Sequence, residues 1–382
     1  MGGTGTYVNG TSNTDSIPEY TYQDCGIYSV TLIVTDDNGC KDTIIKQVEV
    51  HCEPTADFNY TPDCVGNPTV FTDASSSDTT ITTWIWDMGG TGNYVGGTDA
   101  NSPNPEYEYD DCGAYYVTLI IIDDNGCNDT IQDSVYVYCL PNPNFSAVPV
   151  CQGDVTYFVD GSVPGTHPSA PIIEWNWDMG VGTGQYVNNT NSSDSTPQYI
   201  FNDCGFHDVT LEVTDSNGCT ESITITIEVW CNPNADFQAN PECFDDQPII
   251  FTNNSTNGTG TINQWNWDMG GTGTYVNGTS NTDSIPEYTY QDCGTYSVTL
   301  IVTDDNGCKD TIIKQVEVHC EPTAIFNYTP DCVGNPTVFT TDSSYSDTTI
   351  TTWIWNMGGT GNYVGGTDAN SPNPEYEYDD CG

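Results

Sequence analysis

Gly113-Ala114-Tyr115-Tyr116-Val117-Thr118-Leu119-Ile120-Ile121-Ile122, followed at once by Asp123-Asp124-Asn125-Gly126, reads as a β-strand running into a hairpin turn. Tyr115, Val117, Leu119 and Ile121 alternate, so one face of the strand is apolar. Asn-Gly supplies the positive φ that a tight hairpin needs. The strand after such a turn is clearest further along, where Ile223, Ile225, Ile227 and Val229 are separated by polar residues. Upstream lie Thr69-Val70-Phe71-Thr72, Trp84-Ile85-Trp86-Asp87 and Pro105-Glu106-Tyr107-Glu108-Tyr109. Short alternating strands, Gly/Asn/Pro turns and no helical period predict an all-β antiparallel sandwich.

The same pattern recurs along the 382 residues. Cysteines fall at 25, 40, 52 and 64, then 112, 127, 139 and 151, then 204, 219, 231 and 243, then 293, 308, 320 and 332, and last at 381. Residues 1–72 match 269–340 except at Ile27/Thr295 and Asp57/Ile325, and 79–113 match 348–382 except at Asp87/Asn356. A copied block of three domains accounts for this, as in long arrays. Aligned strands divide the chain into the back part of a domain (1–52), three complete domains (53–139, 140–231, 232–320) and the front part of another (321–382). Met1 aligns with Met88, Met179, Met269 and Met357 inside one motif, so the chain is expected to be a window on something longer. Connections such as Cys139-Leu140-Pro141-Asn142-Pro143 are short and Pro-bearing, which predicts an extended, semi-rigid rod.

Net charge is −50, with Lys41, Lys46, Lys309 and Lys314 the only lysines and no arginine. Such a field repels nucleic acid and anionic lipid, so neither is an expected partner. No apolar run reaches membrane-spanning length, so direct membrane insertion is not expected. Seventeen regularly spaced cysteines point to an oxidising compartment.

Trp-x-Trp-Asp-Met-Gly (Trp84–Gly89), Asn-x-Pro-x-x-x-Tyr (Asn101–Tyr107), Gly-x-Tyr-x-Val-Thr-Leu (Gly113–Leu119) and Val-Thr-Asp-x-Asn-Gly-Cys (Val213–Cys219) occur in order in the repeats. This series resembles PKD (polycystic kidney disease) domains, most of all the Cys-bearing type in large surface proteins of gliding bacteria. The resemblance implies tandem immunoglobulin-like sandwiches in an extracellular, cell-surface protein: a filament, stalk or giant adhesin. Its partners would be copies of itself or other surface proteins. Accessory contact with polysaccharide, or a spacer attached to a secreted enzyme, is the other implied role. Thr43, Thr130, Ser134, Ser195 and Thr311 each follow Asp, resembling O-glycosylation sites of surface proteins in those bacteria.

No recurring residue set suits catalysis, so the chain does not read as an enzyme. His51 and His319 occupy the position of Tyr138 and Trp230, which argues for packing. His207 replaces Tyr28, Tyr115 and Tyr296 and reads as a core residue with a polar handle, while His167 lies in a Pro-rich insertion. The tryptophan pairs read as core, with exposure of Trp84, Trp175 and Trp265 separating that from a sugar-stacking platform. Apart from a structural calcium ion, no cofactor is expected. Oxygen ligands for calcium are offered by Asp36, Asp37, Asp123, Asp124, Asp215, Asp304 and Asp305 at the hairpin turns.

In a sandwich, consecutive loops alternate between two poles. Cys64 and Cys112 fall at the downstream pole and Cys127 at the upstream pole. Cys127 lies a strand length, roughly 30–40 Å at 3.3 Å per residue, from Cys112 and Cys139, beyond disulfide reach. This predicts the pairs Cys64–Cys112, Cys151–Cys204, Cys243–Cys293 and Cys332–Cys381 within domains. Across linkers it predicts Cys52–Cys127, Cys139–Cys219 and Cys231–Cys308, with Cys25, Cys40 and Cys320 bonded outside the chain. The alternative pairs Cys112 with Cys139 and sends Cys64 to the next domain.

Overall fold

A computed structural model of the chain describes residues 2–166, 170–240, 243–244, 247–341 and 343–380. Among these residues every regular element is a strand. The unit 140–231 shows the full plan. One sheet orders Phe145–Ala147, Val155–Asp160, Gln198–Phe201 and Gly184–Tyr186; the other orders Val150–Cys151, Thr220–Trp230, Gly205–Asp215 and Ile172–Asp178. The chain's entry therefore switches sheets. Phe145–Ala147 pairs antiparallel in the first sheet, and Val150–Cys151 then runs parallel to the end of the last strand. Equivalent sheets form in 53–139 and 232–320, and among the described residues 321–382 contributes a first sheet only. In 1–52 two hairpins are present, Gly5–Tyr7 with Tyr20–Tyr22 and Gly26–Thr35 with Lys41–Val50.

The alternation of the long strand places the core. Val117, Leu119 and Ile121 are fully buried, as are Val209, Leu211 and Val213. Opposite them, Phe145, Phe158 and Trp177 close on one another at 5.0 Å (edge to face) and 5.2 Å (tilted). Such aromatic pairs add about 0.5–1.5 kcal/mol each beyond their buried area. A second aromatic ladder runs Tyr94, Tyr107, Tyr109, Tyr115, ending in a stack at 4.2 Å. Gly90 is required there, because a Cβ at that position would lie 2.3 Å from the Tyr115 ring.

The inner tryptophans Trp86, Trp177 and Trp267 are buried, and Trp84, Trp175 and Trp265 pack half-buried against the same cores. Trp84 and Trp175 donate their indole N–H to Asp73 and Asp160 at 2.8 Å. These rings pack as part of the cores. His207 is likewise buried, 4.4 Å from the Phe201 ring, and its Nε2 lies 3.0 Å from the Asp203 carbonyl oxygen. The Tyr115 hydroxyl donates to the equivalent carbonyl, of Asp111, at 2.7 Å. His167 lies outside the described residues.

Candidate functional site at the domain junctions

The cysteines of each unit occupy two places. One follows the hairpin turn at the upstream pole (Cys127, Cys219, Cys308). The others gather around the end of the last strand at the downstream pole. The register there determines the chemistry. Gly205 lies opposite Val229, so Cys204 and Cys231 meet across the hairpin's open end, with Cα atoms 4.9 Å apart. Cys25–Cys52, Cys112–Cys139 and Cys293–Cys320 repeat this bond. Cys151 flanks the other edge of the same strand, facing Trp230. Cys64 and Cys243 sit likewise beside Tyr138 and His319. From that edge Cys64 bonds Cys219 and Cys151 bonds Cys308, each in the next unit.

The expected pairing is therefore corrected. Cys64–Cys112, Cys151–Cys204 and Cys243–Cys293 do not form, because the last strand stands between the partners. Two strand spacings, roughly 10 Å, exceed the ~7 Å limit for bonded Cα atoms. Cys52–Cys127, Cys139–Cys219 and Cys231–Cys308 fail because Cys52, Cys139 and Cys231 are already bonded across their own hairpins. Cys25 and Cys320, assigned partners outside the chain, also pair within it. Cys40, Cys127, Cys243 and Cys332 carry free thiols, and Cys381, the expected partner of Cys332, lies outside the described residues.

The turn aspartates hold the hairpin cysteine in place. Asp215 Oδ1 accepts from the amides of Asn217 (2.9 Å) and Cys219 (3.0 Å). Asp123, Asp304 and Asp36 do the same for Cys127, Cys308 and Cys40. Asp123, Asp215 and Asp304 are buried, whereas Asp37, Asp124 and Asp305 are exposed. Burial by itself would lift the Asp123 carboxyl. The Cys127 and Asn125 amides and the Thr79 and Ser77 hydroxyls outweigh it, holding the group below the usual carboxylate range. The Cys127 thiol is pushed up, by burial and then by Asp123, Asp78 and Glu53, which keeps it protonated. Of the glycan candidates, Thr43, Thr130 and Thr311 are exposed, and Ser134 and Ser195 half-buried.

The bonds between units define two separate covalent routes. One runs down the last strand of 53–139 and along the first strand of 140–231, residues 127–151, then crosses Cys151–Cys308 into residues 308–332. The other runs through residues 40–64, crosses Cys64–Cys219 and continues through 219–243. Unit 140–231 is spanned by both routes, and its residues 152–218 hang beside them.

Fold and junctions define a class: tandem immunoglobulin-like sandwiches bonded unit to unit. The sequence profile of the PKD domain matches residues 6–52, 51–139, 142–231 and 230–320, and the chain belongs to that family. Over 159 residues it is 28% identical to the pre-pro-metalloprotease PrtV of Vibrio cholerae serotype O1, covering 41% of the chain and 15% of that protein's length. Among solved structures, the PKD1 domain of that metalloprotease is 29% identical and covers 22% of the chain and 98% of the domain, at a TM-score of 0.19. The PKD1 domain of Vibrio anguillarum Epp is 24% identical and covers 23% and 95%, at a TM-score of 0.20.

Proposed function

We propose that the chain is a load-bearing spacer: the structural repeat region of an extracellular bacterial surface filament, stalk or giant adhesin. The observation that carries this is the pair of bonds between units, Cys64–Cys219 and Cys151–Cys308. A domain folds without being bonded to its neighbour, whereas a tether under drag gains from a covalent route that bypasses the fold. Six disulfides among the described residues suit an extracellular, oxidising location. Sparse positive charge keeps neighbouring rods apart at low salt. Pulling the oxidised and the reduced protein between Cys127 and Cys332, which lie on one covalent route, tests the reading: only the reduced form should lengthen by whole domains.

The likeness to PrtV supports a second reading, a spacer attached to a secreted enzyme or contacting polysaccharide. The half-buried outer tryptophans, two of them hydrogen-bonded through the indole (Trp84 and Trp175), weigh against sugar stacking. A glycan panel read by tryptophan fluorescence should show no saturable change, and a saturable blue shift would favour this second reading. Structural calcium is a separate proposal, supported by Asp215 Oδ2 and Asp304 Oδ2, which are buried without a hydrogen-bond partner. Unchanged melting after chelation at constant ionic strength would remove it.

A further inference from the structure

We propose that Glu317, His319 and Asp347 form a divalent transition-metal site joining the unit 232–320 to the unit that follows. Glu317 and His319 stand two apart at the end of the strand Lys309–Val318, so both face away from buried Val318. Asp347 comes from the next unit. His319 Nδ1 lies 3.4 Å from Asp347 Oδ2 and 3.8 Å from Glu317 Oε1, and one ligand atom from each residue falls within 4.8 Å of the others. Donors bound at about 2.1 Å to one tetrahedral ion stand about 3.4 Å apart, so a small closure completes the set.

Two observations separate this from an ordinary packed histidine. Nδ1 of His319 is sealed from solvent and faces two carboxylate oxygens, at 3.4 and 3.8 Å, with no well-formed hydrogen bond to either. Among the described residues no lysine pairs with either acid; Lys314 is engaged with Asp236. A cation shared by the three groups removes both the orphaned nitrogen and the repulsion between the acids. The second observation is what other junctions do without. Asp347 Oδ2 accepts the amide of Cys320 at 2.9 Å, but one junction earlier Thr259 Oγ1 accepts the equivalent amide, of Cys231, at 2.8 Å. Tyr138 and Trp230 fill the place of His319. Neither capping nor packing therefore calls for an acid and an imidazole here. Glu49, His51 and Asp78 repeat these residue types at the first junction, but among the described residues only the Glu317 group converges. Imidazole with two carboxylates suits zinc-like ions rather than calcium, and leaves a position for water.

The test uses the whole chain with its free thiols alkylated, in physiological salt with millimolar calcium and magnesium to occupy the acidic surface. Zinc is added while the histidine ring signals are followed by NMR. The His319 signal, assigned by its loss in H319Y, should shift and saturate at one equivalent, while buried His207 stays fixed. H319Y takes the residue found at Tyr138, and D347N keeps an acceptor for the Cys320 amide, so both should fold. Each should weaken zinc binding at least tenfold. A His319 signal unmoved at stoichiometric zinc, or equal retention by wild type and both variants, would overturn the site.

Discussion

Asn253 stands where the other complete units have Asp73 and Asp160, and the indole N–H of Trp265 is buried without a partner. Asn253 Oδ1 accepts the Ser255 amide at 3.0 Å, so the other amide position carries NH₂, a donor that cannot accept the indole N–H. An aspartate serves both donors, as Asp160 does for Ser162 and Trp175. N253D should therefore stabilise the unit 232–320 by about 1 kcal/mol, seen as a raised urea midpoint. No change would mean that the indole is satisfied another way. D215A removes two charge-assisted bonds and should cost about 2 kcal/mol. It should also lower the yield of Cys64–Cys219 in non-reducing peptide maps; a normal yield would show that the turn does not position Cys219. At this scale the sequence was informative wherever one residue substitutes for another across repeats. His207 was legible as a tyrosine surrogate because three units carry tyrosine there. The Glu317–His319–Asp347 cluster was not, because Asp347 lies in another unit, 28 residues beyond His319.

Among the elements, the strand bearing Tyr107 and Tyr109 and the hairpins beside it make each unit sensitive to alkali. Tyr94, Tyr186 and Tyr275 are each pushed up to about 12 from the usual 10, first by burial and then by a neighbouring tyrosine and an aspartate. A raised folded-state value means that the fold prefers the neutral phenol. That stability is complete below about pH 10 and is lost as pH rises toward 12. Phenolate absorbance of thiol-blocked protein should show a group titrating near 12 that falls to about 10 in denaturant. A titration identical in both states would contradict the packing of this ladder. Strand identity and facing were readable from alternation and from the Asp-x-Asn-Gly turns. The disulfide pattern was readable as far as the poles and two alternative pairings, and the structure has the second of them, Cys112 with Cys139 and Cys64 to the next domain. Three cysteines of each repeat share one pole, and which edge of the last strand each one flanks depends on a two-residue parallel pairing, Val150–Cys151 with Val229–Trp230, that carries no sequence signature.

For the whole molecule, the bonds between units turn a row of sandwiches into two covalent routes, with most of each complete fold outside them. Load then falls on strands that are already extended, and the sandwich between Cys151 and Cys219 does not lengthen when pulled. Cutting one bond leaves the other route across unit 140–231 intact, so the two are redundant there. The most direct measurement pulls single molecules between Cys127 and Cys332, which are free thiols in the structure, with Cys40, Cys243 and Cys381 changed to serine. Between these handles lie residues 127–151, the Cys151–Cys308 bond and residues 308–332, roughly 160 Å of strand at ~3.3 Å per residue. Under oxidising conditions the tether should stay near that length with no unfolding steps, and the double variant C151S/C308S should add steps of a domain's contour. Stepwise lengthening of the oxidised, unmodified bond by hundreds of ångströms would contradict the account.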